Sequence, residues 1–145
     1  TQPARDRLHL ISWLILNYLI GNADAPAKNL SLLITREGVR LAPFYDLVST
    51  AVYRELTDKL ALKIGGENRP EWIQKRHWEA LAATSGANPR IVWRRLNELS
   101  AAIPAVARET AGMPALEKSE FATIEKILAV IQERAKRLAD SRLPA

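Results

Sequence analysis

Residues Gly21 to Asp46 read GNADAPAKNLSLLITREGVRLAPFYD, and the fold class turns on this stretch. An almost wholly apolar segment, Leu8 to Ile20, leads into it and stops at Gly21-Asn22. Two short apolar runs follow, Leu30 to Thr35 and Val39 to Ala42, around Arg36-Glu37-Gly38. The pattern predicts a helix, a polar loop and a β-hairpin. Asp24, Lys28 and Asn29 fall on the loop, and Asp46 lies just past the second strand. Two carboxylates and a carboxamide at the ends of a hairpin suit a divalent cation such as Mg²⁺, which takes oxygen ligands and keeps room for waters and phosphates.

The interval from Asp24 to Asn29 is Asp-x₄-Asn. That is also the interval in a protein-kinase catalytic loop, where Asp orients the substrate hydroxyl and Asn holds metal. Spacing alone is weak, and a turn built from Asn, Asp and Pro, with Asp24 bonded to its own backbone, satisfies it better.

The wording of the stretch is more specific. Gly21-Asn22-Ala23-Asp24, Ala27-Lys28-Asn29-Leu30-Ser31 and Ala42-Pro43-Phe44-Tyr45-Asp46 together closely resemble the HipA-like serine/threonine kinases, which include toxins of bacterial toxin–antitoxin pairs. Leu60-Ala61-Leu62-Lys63-Ile64-Gly65-Gly66 is similar to the segment that follows in that family. The resemblance is clear from Arg5 to Gly66 and looser beyond. It implies Asp24 as the catalytic Asp and Asn29 and Asp46 as Mg²⁺ ligands, with ATP as phosphate donor. Lys28 is a candidate for phosphate contact or for pairing with Asp24 or Asp46. Tyr45, beside Asp46, is a candidate for contact with nucleotide or for core packing. The resemblance also implies a helix-turn-helix antitoxin of the HipB kind as partner, and DNA reached through it. One departure stands out: the family usually carries His where this chain has Pro26.

Composition is that of an ordinary globular domain, with 48% hydrophobic and 26% charged residues in 145 positions. There is no cysteine, so no disulfide framework and no Cys-based zinc site. His9 and His77 are far apart, which argues against a His-based site. A net charge of +5 gives a mild positive field, useful for attracting nucleotides or nucleic acid. The apolar run near Ile11 to Ile20 is too short to span a bilayer and contains Ser12, Trp13 and Asn17. The expected setting is the cytoplasm, with no membrane partner.

Along the chain, the first helix is expected over Arg5 to Ile20, apolar on more than one face and therefore central. Gly21 fits its left-handed stop. The hairpin is too short to stand alone and must lean on helices. A short helix is expected within Val48 to Lys59. Further helices are expected over Trp72 to Ser85, and from an Asn88 N-cap with Pro89 at the first position. Pro104 is expected to end or kink that helix. The last helix is expected over Leu116 to Ser141. Trp72, Trp78 and Trp93 are expected to anchor the core.

The expected fold is a mainly α domain with one small β-hairpin, spanning residues 1–145 and similar to the C-terminal lobe of a kinase. The N-terminal lobe, with its phosphate-covering loop and nucleotide-clamping Lys, is expected to lie outside this sequence. The chain by itself is therefore expected not to turn over. The rival expectation is a non-catalytic pseudokinase-type module that binds an antitoxin partner or DNA, and Pro26 favours it.

Overall fold

The computed structural model describes residues 2–114 and 117–140. Helix α1 spans Pro3–Ile20, strands β1 and β2 span Leu32–Thr35 and Gly38–Leu41, and helices α2, α3 and α4 span Lys75–Ser85, Pro89–Ala111 and Phe121–Asp140. The two strands pair antiparallel, with Leu32 opposite Leu41 and Thr35 opposite Gly38. This is the expected mainly helical fold with one hairpin. The expected ends of the last helix, Leu116 and Ser141, lie outside the described residues.

Helix α1 is the axis of the core. Its Ile11, Ile15, Tyr18 and Leu19 are buried against Trp78 and Ala82 of α2, Val92 and Leu96 of α3, and Ala135 and Leu138 of α4. Trp78 meets the Tyr18 ring edge-on at 5.7 Å between centroids, a favoured aromatic geometry. The buried Arg134 of α4 donates from Nη1 to the Tyr18 carbonyl at 2.7 Å. That places a cation at the C-terminal turn of α1, where the helix dipole favours positive charge. Desolvation by burial pushes the Tyr18 phenol up and the Arg134 guanidinium down from their ordinary values.

Gly21 ends α1 with φ of 75° and donates to the carbonyls of Asn17 and Tyr18. A Cβ here would lie 2.9 Å from Ala51 Cβ and Val130 Cγ1. Glycine is thus required both by the left-handed turn and by the close approach of two later segments.

Three expectations are corrected. Of the two expectations for Pro104, an end or a kink, the end is overturned: helix α3 runs through it to Ala111. Val92, Leu96, Ser100 and Pro104 recur every fourth residue and are all buried. Packing of that stripe against α1 and α4 outweighs the one backbone bond proline cannot make. Between Val48 and Lys59 only a single 3-10 turn forms, at Thr50–Val52; β-branched Val48, Thr50, Val52 and Thr57 lower helix propensity there. Trp72 is 54% exposed rather than a core anchor. Its ring carries the Arg69 guanidinium 3.7 Å above its centroid, and Arg69 in turn holds the Glu67 carboxylate at 2.8 Å. Those bonds hold the Glu67 carboxyl down at about 2, below its usual 4.5. The hairpin leans on helix α1, as expected, through β2, where Arg40 pairs with Asp6 at 3.2 Å. All of β1 is exposed, including Leu32, Leu33 and Ile34.

Candidate active site

The loop after α1 is stitched down on both sides. Thr50 Oγ1 accepts from the Ala23 N–H at 2.8 Å and donates to the Gly21 carbonyl at 3.2 Å. The Ala51 N–H reaches the Gly21 carbonyl, and the Ala61 N–H reaches the Ala23 carbonyl, each at 3.0 Å. Ala23 and Ala25 are buried, while Asp24 between them is exposed. Fixing the backbone on either side presents the Asp24 carboxylate to solvent on a rigid base. No protein hydrogen bond or ion pair engages that carboxylate among the described residues.

A 3-10 turn at Ala27–Asn29 follows, closed by the Asn29 N–H on the Pro26 carbonyl at 3.0 Å. The turn brings Asn29 to Asp46, 17 positions later: Asn29 Nδ2 donates to Asp46 Oδ2 at 3.0 Å. The same amide makes a long contact, 3.5 Å, to the Asp24 carbonyl. Asp46 has φ of 56° and is the one non-glycine residue with positive φ among the described residues. Asp is among the side chains that tolerate this region, and such strain gathers at functional sites.

A buried amide relay supports that conformation. Asn17 donates to the Trp13 carbonyl at 2.9 Å, and its Oδ1 accepts from Asn22 Nδ2 at 2.8 Å. Asn22 Nδ2 also donates to the Asp46 carbonyl at 3.2 Å. The core helix therefore grips the backbone of Asp46 through two carboxamides. Sequence reading missed Asn17, Asn22 and Thr50. The available signals were a carboxamide inside an apolar helix and a second just after its glycine stop. Asn22→Ala is expected to cost about 1–3 kcal/mol, because it leaves Asn17 Oδ1 buried without a donor. Urea unfolding reads this; a loss under about 0.5 kcal/mol, half of a typical net hydrogen bond, would contradict it.

Lys28 is exposed and forms no ion pair with Asp24 or Asp46. Tyr45 is 44% exposed, so it is not a core residue. Its hydroxyl lies 3.0 Å from Ser31 Oγ and donates to the Lys28 carbonyl at 3.4 Å. Tyr45 thus ties the segment before Asp46 to the start of the hairpin. His77, at the start of α2, accepts the Gln74 N–H on Nδ1 at 2.9 Å and serves as a helix cap.

The donor set suits a hard divalent cation. Asn29 Oδ1 and Asp46 Oδ1 have no partner among the described residues, and the bond between the two side chains keeps these oxygens in one neighbourhood. No group of three or more His, Cys, Asp or Glu side chains suited to a metal occurs among the described residues. Two protein oxygens with water and phosphate completing the shell is the arrangement Mg²⁺ favours.

Comparison with known proteins bears on this arrangement. A family model described as HipA-like C-terminal domain matches residues 1–107. The Sinorhizobium fredii protein Y4mE, named as a candidate kinase, is 38% identical over 108 residues, covering 74% of this chain and 26% of its own length. The Shewanella oneidensis serine/threonine-protein kinase toxin HipA is 29% identical over 136 residues, covering 93% of this chain and 31% of its own. A solved Shewanella oneidensis structure, the toxin–antitoxin complex of HipA, HipB and operator DNA, contains a chain that superposes with a TM-score of 0.81. It is 27% identical, over 95% of this chain and 34% of that one. The chain thus spans about a third or less of the length of these relatives.

Proposed function

The chain belongs to the HipA-like C-terminal domain family, and from that premise we propose that it is the helical, catalytic-loop-bearing lobe of a serine/threonine protein kinase that takes phosphate from ATP. The observation that carries the reading is the Asn29–Asp46 contact at 3.0 Å, made by two residues far apart in sequence beside the exposed Asp24.

In this reading Asp24 accepts a hydrogen bond from the acceptor hydroxyl, orients its oxygen and takes its proton as phosphate is transferred. Asn29 and Asp46 would hold Mg²⁺, which when bound neutralises charge on the phosphates. Lys28, exposed on the intervening turn and without an ion pair among the described residues, is the cation available to the transferring phosphate. Tyr45 is the exposed aromatic available to the nucleotide. Catalysis of this kind is mostly positioning and charge neutralisation. The stitched backbone around Asp24 and the amide relay to Asp46 serve positioning.

The likeness to the Shewanella complex supports a wider proposal: a toxin component, held by a helix-turn-helix antitoxin and brought to operator DNA through it, in the cytoplasm where ATP is held. Pro26 supports a second reading, a non-catalytic module that retains the partner surface. Transfer of the γ-phosphate to Ser or Thr by the full-length gene product separates the two. Transfer is expected to vanish with chelator and return with Mg²⁺. Transfer that persists in chelator would overturn the metal assignment, and none under any metal would favour the second reading.

A further inference from the structure

A pocket of about 190 Å³ lies between the last turn of α1 and helix α4, with Tyr18 and Arg134 among its walls. Both residues are buried, at 1% and 8% exposure. The Tyr18 hydroxyl has no hydrogen-bond partner among the described residues. The charges that act on it, Arg134, Arg137, Glu133 and Glu71, all belong to the pocket's lining, which places the hydroxyl on that side. Arg134 gives one N–H to the Tyr18 carbonyl, rests 5.4 Å from the centre of the Tyr18 ring, and has no carboxylate within ion-pair distance among the described residues. A guanidinium has five N–H donors to place. Buried charges are ordinarily paired and buried hydroxyls ordinarily bonded. The rim has the opposite sign. Asp58 and Glu71 are exposed and form no ion pair among the described residues. Arg137 is already engaged, with Glu133 at 2.8 Å and the Glu71 carbonyl at 3.1 Å.

We propose that this pocket binds a small α-amino acid, its carboxylate inward on Arg134 and Tyr18 and its ammonium outward toward Asp58 and Glu71. A simple anion would satisfy the floor and be repelled at the rim. A simple cation would suit the rim and meet Arg134 below it. A zwitterion answers both signs. Guanidinium is suited to forked recognition of a carboxylate, and the phenol adds a further donor. The volume lies below the roughly 300 Å³ at which sites for drug-sized ligands begin, which limits the side chain to a short one. Ala51 also lines the pocket, and its N–H holds the Gly21 carbonyl at 3.0 Å, so an occupant packs against a clasp of the loop after α1. The inference stands apart from phosphate transfer, since it uses neither Asp24 nor the Asn29–Asp46 pair.

The test is calorimetry on the full-length protein with alanine, propionate and ethylamine; propionate lacks the ammonium of alanine, and ethylamine lacks its carboxylate. Alanine is expected to bind with a Kd of about 1 mM or tighter and to exceed propionate on the order of tenfold, the scale of one charge-assisted hydrogen bond. Ethylamine is expected to give no saturable heat. Tyr18→Phe should weaken alanine about tenfold, and Asp58→Asn with Glu71→Gln should bring alanine down to propionate. Neither variant removes a hydrogen bond or ion pair of the described fold, because the Tyr18 hydroxyl and the two carboxylates make none. Amide exchange at Ala51 should slow with alanine and not with ethylamine, which localises binding without a substitution. Should a variant fail to fold, exchange at Ala51 decides alone. Absence of saturable heat with alanine, equal affinity for alanine and either analogue, unchanged affinity in either variant, or binding that leaves Ala51 exchange unaltered would overturn the proposal.

Discussion

Asp24→Asn in the full-length protein is expected to lower kcat for phosphate transfer by about 10²–10⁴, the usual contribution of a positioned general base. The substitution keeps shape and removes basicity. The Asp24 carboxylate makes no bond to the described residues, and the backbone about it is held by Thr50 and Ala61 rather than by its own side chain. Folding and Mg²⁺ binding should therefore be preserved. Rapid-quench kinetics read the rate, and thermal unfolding reads the fold. A drop smaller than about fivefold, with the fold intact, would remove Asp24 from the chemistry, since general-base losses begin near 10². The remaining rate would then rest on the metal ligands and Lys28.

Pro26→His is expected to raise kcat by about 10²–10³, the size of effect associated with one donor aimed at developing charge. Pro26 has φ of −75° and ψ of 165°, and its carbonyl closes the turn that carries Asn29. Any residue adopts those angles, so histidine should enter without re-aiming the loop. Asp24, Asn29 and Asp46 already stand together with proline in place. What proline lacks is a side-chain donor two positions after Asp24. Imidazole supplies one, and when protonated adds positive charge where the transferring phosphate develops negative charge. The loss of proline's rigidity should cost about 0.4–1 kcal/mol of stability. Equal rates for the two proteins would take position 26 out of the mechanism. The charge-stabilising role would then pass to Lys28, exposed on the same turn.

Much of the architecture was legible because its signals are local. Gly21 marked the end of α1, since a left-handed residue there is a property of one φ angle. Asn88-Pro89 marked the start of α3, and the Asn88 side chain does accept the Arg90 N–H at 2.9 Å. Helix α1, apolar nearly all round, announced its central place. The wording from Gly21 to Asp46 pointed to Asp24, Asn29 and Asp46 as a group, though it left their separations open.

Other features were decided only when the chain closed on itself. Asn17 and Asn22 read as polar residues near a helix end, and only the fold brings the Asp46 carbonyl to Asn22 across 24 positions. Thr50 became the clasp of the Asp24 loop by arriving from 27 positions away. Pro104 obeyed its neighbours rather than its own preference, because a buried stripe of α3 outweighs one missing hydrogen bond. Trp72 lies at the surface under the Arg69 guanidinium, while Trp78 packs edge-on against Tyr18 in the core. Caps, turns and periodicity depend on a few consecutive dihedral angles, so residue order alone determined them. Which loop clasps the Asp24 turn depends on packing between distant segments, and only the tertiary structure determined that.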